Sequence, residues 1–212
     1  MEWIFIFRCT LYVYVVLLLH KHTKMYVFVF RVRDALNAFR DSLSNGYVSC
    51  FILVIMAHGV QDYHDNIFQM FDNRQCPAMR GKPKLFIVQA CRGDVCHSMG
   101  YPSLLCDSGG FSSPCHGLPT LLPTMSDYMK VYAAQPGHVA FRNPDHGSPL
   151  FTVLMDVVEE FGKTRHMREI FTMVKISYQN ILDWAQVGQF NPPDNSLHVE
   201  DGLSKKWYLF HT

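Results

Sequence analysis

The sequence predicts an α/β protein, a three-layer sandwich with a mostly parallel central sheet flanked by helices. Two short runs, 48–57 and 84–90, are apolar at nearly every position, and strands buried on both faces of a parallel sheet have this composition. Segments with apolar residues at helical spacing alternate with these runs. The 212 residues, 49% of them hydrophobic, are enough to bury one sizeable core.

The other elements follow from the periodicity of the apolar residues. Helical spacing predicts four helices, over 32–44, 68–79, 150–161 and 167–181. Two more strands are predicted, over 128–134 and over the terminal segment KKWYLFH at 205–211.

The first thirty residues form an atypical apolar segment. Its uninterrupted apolar run, from Cys9 to Leu19, is too short to span a bilayer, and no small-x-small cleavage site follows it. A signal anchor is one interpretation of this pattern. The β-branched and aromatic residues from Tyr12 to Val16 favour a buried strand equally well, so the sequence leaves both interpretations open.

Composition excludes several functional classes. The formal net charge is +1 and charged residues are 17% of the chain, which gives no reason to expect nucleic acid as a partner. The seven cysteines are irregularly spaced without a C-x-x-C pair, a pattern typical of free thiols in a reducing compartment. Two Cys-His pairs, at 96–97 and 115–116, lack the spacing of zinc fingers. We therefore expect a cytoplasmic protein with no metal and no cofactor, and the composition does not favour a membrane as partner.

Residues 95–124 are predicted to be an exposed linker. They are rich in Gly, Ser and Pro and show no periodicity. A structureless segment of this length is unusual inside a compact domain unless it has a function. The linker separates a portion at 31–94 from a C-terminal portion at 125–212.

Two predicted strands are followed by residues of types that act in catalysis. One is followed by His58-Gly59 and the other by Cys91-Arg92. Because the carboxyl ends of parallel strands meet at one edge of a sheet, we expect His58 close to Cys91. A nearby imidazole activates a thiol as a nucleophile, and the backbone N–H groups of Gly59 and Cys91 can stabilise an oxyanion. A core cysteine and a strand-end histidine fit the pattern alone equally well.

Longer stretches of the sequence resemble one family. The segment QACRG at 89–93 resembles the caspase signature. FILVIMAHG at 51–59 resembles the family's histidine-bearing strand, and RGKPKLFIVQACRGD at 80–94 resembles its nucleophile strand. The stretch that begins PTMSDYMKVYAAQPGHVAFRN at 123–143 resembles the start of the small subunit, and WYLFH resembles its final strand. These ordered matches run from about residue 30 to the end.

The resemblance implies a cysteine endopeptidase that cleaves after aspartate, in apoptosis or related proteolytic signalling. Cys91 would then be the nucleophile, His58 the general base and acid, and Gly59 with Cys91 the donors to the oxyanion. Gln89 and Arg142 would line the pocket for the substrate aspartate, since a guanidinium is the group suited to a desolvated carboxylate.

The resemblance implies further positions in the same way. The substrate groove would include a short run after the third buried strand, namely His138, Ala140, Phe141 and Asn143. The portions 31–94 and 125–212 would be p20-like and p10-like subunits of a zymogen, cut in the linker at Asp107 or at Asp94, since unstructured loops are where proteases nick. Expected partners are protein substrates with Asp at P1, and a second copy or another caspase paired along the edge of KKWYLFH.

Some positions depart from the family pattern. No R-x-G-T-x-x-D-like stretch with a second arginine for the aspartate pocket is recognisable, because Arg31 and Arg33 belong to a helix start. Phe141 and Pro149 stand where the family usually has tryptophans, and the loop after His58 is short. A spliced chain with residues 1–30 foreign to the fold would explain the missing arginine.

These departures leave a second hypothesis open. The chain could be a catalytically weak or inactive caspase-like protein that dimerises with an active caspase and modulates it. Retention of both Cys91 and His58 favours the protease.

Overall fold

The computed structural model describes residues 5–8, 12–18, 25–44, 48–56, 66–92, 124–141, 147–187 and 196–210. The strands are β1 (Phe5–Arg8), β2 (Tyr12–Leu18), β3 (Cys50–Met56), β4 (Lys84–Gln89), β5 (Tyr128–Tyr132) and β6 (His198–Asp201). The helices are α1 (Met25–Ser44), α2 (Pro149–Phe161) and α3 (Met167–Val187), with a 3₁₀ turn at Pro77–Met79.

The six strands form one sheet in the order β1-β2-β3-β4-β5-β6. The four strands from β2 to β5 run parallel, and β1 and β6 pair antiparallel at the two ends. The mostly parallel sheet expected from the apolar runs is confirmed. Parallel strands send their carboxyl ends to the same edge, which is where sites form in such sheets.

Helices cover both faces of this sheet. Alternate residues of β3 enter two different cores, because side chains alternate along a strand. Ile52 lies in the core beneath α2 and α3, whereas Phe51 lies in the core beneath α1. Burial on both faces explains why the strand is apolar at every position, and it confirms the three layers.

The apolar N-terminal segment contributes to the sheet. β2 pairs in parallel with β3 over seven positions, from Tyr12↔Cys50 to Leu18↔Met56. The structure thus gives this part of the segment the strand form, at Tyr12–Leu18. Within the described ranges, no helix is long and apolar enough to cross a membrane.

The helix predicted over 68–79 is wrong in form. A single helical turn at 66–69 is followed by turns and then by the 3₁₀ turn at Pro77–Met79. The Asp72 carboxylate accepts hydrogen bonds from the backbone N–H groups of Arg74 and Gln75, at 2.7 and 2.6 Å. This local side-chain bonding competes with helix formation. Phe68, Phe71 and Met79 are nevertheless buried in the core beneath α1.

The strand predicted at KKWYLFH is also wrong. Among the described residues of this segment, Tyr208 makes only an isolated bridge with His166. Trp207 and Leu209 are buried in the core beneath α2 and α3, and the Trp207 carbonyl accepts a hydrogen bond from Met167 N–H at 2.8 Å. The last strand of the sheet is β6 instead, and β6 therefore supplies the edge that the sequence had assigned to the terminus.

We expect the core under α1 to depend on Phe51. Its side chain is fully buried, and its ring centroid lies 5.1 Å from that of Phe71 and 5.4 Å from that of Phe86. Phe51→Ala should lower the free energy of unfolding by about 3–5 kcal/mol, measured by urea denaturation. The same change at Phe210, which is exposed, should stay within about 0.5 kcal/mol. Equal losses for the two variants would contradict this core.

Candidate active site

The register of β3 and β4 places the ends of these two strands side by side, just before the predicted catalytic residues. Met56 at the end of β3 pairs with Gln89 at the end of β4. His58 and Cys91 each follow these paired residues by two positions in the chain. Cys91 is among the described residues, whereas His58 and Gly59 lie outside them. The register thus supports, without testing, the expectation that the histidine and the thiol share one sheet edge.

The described cysteines differ in accessibility. Cys50 and Cys76 are buried, and Cys91 is only partly buried. Burial raises the pKa of the Cys50 thiol to about 12, and burial also raises the pKa of Cys76. A thiol with a raised pKa carries little thiolate, the reactive form. Among these three cysteines, Cys91 is therefore the one suited to react with a molecule in solution.

Arg92, the residue after Cys91, is hydrogen-bonded through its backbone to the loop that follows β5. The Arg92 N–H donates to the His138 carbonyl at 2.9 Å, and the Gly137 N–H donates to the Arg92 carbonyl at 2.8 Å. Gly137 has a φ of 80°, a conformation that glycine adopts without strain. These bonds bring the start of the predicted substrate segment beside the end of β4.

Gln89 makes a second attachment to the same segment. Its side chain is buried, and its Nε2 donates to the Phe141 carbonyl at 2.9 Å. The Ser148 hydroxyl donates to its Oε1 at 2.6 Å. Nε2 carries two hydrogens, and among the described residues the Phe141 carbonyl accepts one of them. Gln89 thus holds the residue that directly precedes Arg142.

Sequence reasoning missed Ser148. A serine before Pro149 at a helix start predicts an N-cap, and Ser148 does occupy the N-cap position of α2. Its hydroxyl makes no capping hydrogen bond, however, and binds Gln89 instead. The sequence carried no signal for this contact, since the two residues are 59 positions apart.

The other predicted site residues divide into described and undescribed positions. His138, Ala140 and Phe141 are partly buried, and the last two pack against the core beneath α2 and α3. Arg142, Asn143, Asp94 and Asp107 lie outside the described residues. Within the described ranges, no group of three or more His, Cys, Asp or Glu side chains could hold a metal ion.

Comparison with known proteins assigns the family. The sequence model of the caspase domain matches residues 29–190. The chain belongs to the caspase family. The resemblance inferred from QACRG and the longer segments is thereby confirmed, and the family is one of cysteine-type peptidases.

Several caspases are similar to this chain. Caspase-14 of Homo sapiens is 29% identical, over 76% of this chain and 67% of that protein. Caspase-2 of Gallus gallus is 30% identical, over 91% of this chain but only 51% of that protein. A Homo sapiens protein named "Inactive caspase-12" is 30% identical over 57% of this chain and 38% of its own length.

A solved structure supports the fold. The crystal structure of caspase-1 from Spodoptera frugiperda superposes with a TM-score of 0.57 at 21% identity, covering 82% of this chain and 71% of that one. The α/β sandwich predicted from the sequence is therefore the caspase fold.

Alkylation should distinguish the three described cysteines. Iodoacetamide on the folded chain near neutral pH should modify Cys91 well before Cys50 and Cys76, because burial holds these two thiols protonated. Peptide mapping by mass spectrometry measures the order of modification. Cys76→Ser is the matched control and should leave labelling of Cys91 unchanged. Modification of Cys50 ahead of Cys91 would contradict the accessibility described above.

Ser148→Ala should lower the free energy of unfolding of this chain. The change leaves the buried Gln89 Oε1 without the hydroxyl that binds it, and an unsatisfied buried acceptor costs about 1–3 kcal/mol. Chemical denaturation measures this loss. Thr172→Ala removes an exposed helix hydroxyl that donates to the Arg168 carbonyl at 2.8 Å, and should change stability by less than about 0.5 kcal/mol. Equal losses of stability in the two variants would show that the hydrogen bond from Ser148 to Gln89 does not stabilise the fold.

Proposed function

We propose that this chain is a cysteine endopeptidase that cleaves peptide bonds after aspartate. The observation that carries the proposal is the partly exposed Cys91, which lies two positions after the end of β4 at the carboxyl edge of the parallel sheet. Family membership supports the reaction class. The β3–β4 register supports His58 as the base for Cys91. Each of these two residues lies two positions after the last paired residue of its strand.

The reaction would proceed in two acyl-transfer steps. The His58 imidazole takes the Sγ proton of Cys91, and the thiolate attacks the carbonyl carbon of the substrate aspartate. The backbone N–H groups of Gly59 and Cys91 donate to the oxyanion. His58 then returns the proton to the departing amine, and afterwards activates the water that hydrolyses the thioester.

Aspartate recognition would depend on Arg142. It directly follows Phe141, whose carbonyl is bound by Gln89. A guanidinium can bind the substrate carboxylate with two hydrogen bonds, and the remaining Gln89 N–H can add a neutral one. With one arginine in the pocket, aspartate should be preferred over asparagine by a smaller margin than two arginines would give.

The remaining proposals follow the family pattern. His138, Ala140, Phe141 and Asn143 would line the groove for the substrate backbone. Cleavage at Asp107 or Asp94 would convert a zymogen into two subunits, in a cytoplasmic protein of apoptosis or related signalling.

Peptide turnover tests this function. The purified chain should hydrolyse a panel of aspartyl peptides, and Cys91→Ala should hydrolyse none. Arg142→Ala should lower kcat/KM by about 100-fold or more, because a desolvated carboxylate loses its cation. Arg165→Ala is the matched control, since Arg165 is an exposed arginine paired with Glu169 at 3.6 Å. Equal activity of Arg142→Ala and wild type would overturn the pocket assignment.

The second candidate is a modulator that pairs with another caspase. The sequence has no recognisable second pocket arginine, and one similar protein carries the name "Inactive caspase-12". The sheet ends at β6, which pairs only with β5 in the described structure. An open strand edge invites pairing with a second copy or with another caspase.

The charges on β6 are compatible with such pairing. Glu200 binds Lys130 at 3.0 Å, and Asp201 binds Arg168. Burial opposes ionisation of Glu200, but the hydrogen bond and charge of Lys130 hold the pKa of that carboxyl below its usual value. Each carboxylate thus has a cationic partner within the chain, which limits repulsion from a partner strand.

Mixing experiments separate the two candidates. Sedimentation at micromolar concentration should show a dimer of this chain, or a heterodimer when an active caspase is added. If the modulator function holds, the Cys91→Ala variant should change the partner's turnover as much as wild type does. A chain that stays monomeric alone and in every mixture contradicts pairing, and loss of the effect in Cys91→Ala contradicts the modulator.

A further inference from the structure

A groove separates α1 from the helical turn at 66–69, on the face of the sheet opposite α2 and α3. Its volume is about 510 Å³, which is within the range of ligand-binding sites. Arg33, Asn37 and Arg40 line it from α1, where their spacing places them on one face of the helix. Gln69 and Gln75 line it from the other side. This groove belongs neither to the proposed catalytic site nor to the open edge at β6.

The lining of the groove combines cations with hydrogen-bonding amides. Its charged side chains are two arginines, and among the residues that the structure describes no carboxylate lines it. Arg33 is exposed and the side chain of Arg40 is 25% exposed, so both guanidiniums can reach a ligand. Primary amides lie on both walls, and each offers the donors and the acceptor that a peptide backbone needs. The buried Leu36 and Ile67 add apolar lining.

The spacing of the two arginines restricts the ligand. Arg40 follows Arg33 by two helical turns, which is about 10 Å along the helix axis. In an extended segment of the polyproline II type, residues three positions apart lie on the same side at a spacing of about 9 Å. Such a segment leaves its backbone N–H and C=O groups unpaired, and the amides of the groove can bind them. Two carboxylates three positions apart would therefore meet the two guanidiniums.

Asp41 competes with such a ligand for Arg40. The Nε and Nη2 atoms of Arg40 donate to the Asp41 carboxylate at 3.2 and 3.1 Å. The Asp41 side chain is 68% exposed, and an exposed ion pair contributes little to stability. A ligand carboxylate that is also flanked by the amides of the groove can therefore replace Asp41.

We propose that this groove binds an extended acidic segment of a partner protein, with one carboxylate at Arg33 and another, three residues away, at Arg40. The groove lies along α1, whereas Cys91 follows β4 at the carboxyl edge of the sheet. A segment bound here would hold a protein partner without occupying the proposed catalytic site. The inference does not depend on the reactivity of Cys91, and it applies to a protease and to a modulator alike.

Peptide binding to the full chain tests the groove. The probe is a fluorescein-labelled peptide of repeated Glu-Pro-Leu triplets, which spaces carboxylates by three positions, favours polyproline II and contains no aspartate. Arg33→Gln and Arg40→Gln should each weaken binding about 3- to 10-fold, measured by fluorescence anisotropy. Asp41→Asn should strengthen binding, because it removes the competing carboxylate. Arg74→Gln is the matched control, since Arg74 is an exposed arginine of the same region that does not line the groove.

Three results would overturn the inference. Equal weakening by Arg74→Gln would show a general attraction between opposite charges and no defined site. The double variant Arg33→Gln/Arg40→Gln should unfold at the same urea concentration as wild type, and a lower midpoint would show that these arginines serve the fold. Inorganic tripolyphosphate that binds more tightly than the peptide, and is weakened by the same variants, would make the ligand a phosphate.

The outcomes are distinguishable from those of the proposed function. A wild type that hydrolyses aspartyl peptides but does not bind the glutamate peptide contradicts this inference alone. A wild type that binds the peptide with the expected effects of the variants, but hydrolyses no aspartyl peptide, supports this inference and contradicts the protease.

Discussion

The parallel pairing of β3 with β4 is the constraint on which the site depends. Phe51 and Ile52 enter opposite cores, so a shift of one residue would send every side chain of the strand to the wrong face. Burial on both faces therefore fixes the register in which Met56 pairs with Gln89. Because the strands are parallel, the residues that follow them emerge at one edge, and chemistry becomes possible there.

Hydrogen bonds at two residues, Gln89 and Arg92, then join the loop after β5 to the end of β4. Gln89 binds the Phe141 carbonyl through its side chain, and Arg92 binds residues 137 and 138 through its backbone. Cys91 lies between these two attachments. Buried polar groups need partners, and this loop supplies them, so the thiol and the proposed substrate segment are held as one unit.

Family membership and activity depend on different features of this chain. The sheet and its flanking helices are those of a caspase, whereas the proposed turnover of aspartyl peptides would depend on how many cations meet the desolvated aspartate. A protease and a modulator would share the fold and the open edge at β6, and differ in the pocket around Arg142. Function must therefore be argued from the site and from the edge, since a fold alone does not specify it.

The sequence by itself determined the α/β class, the strands β3 and β4, the helices α2 and α3, and the strand ends that carry Cys91 and His58. These follow from local periodicity and from contiguous motifs, which a single segment displays. Only the tertiary structure decided that β2 joins the sheet, that β6 and not KKWYLFH forms its edge, and that Ser148 binds Gln89. Such contacts join residues tens of positions apart, and a local pattern records what is buried but not which partner buries it.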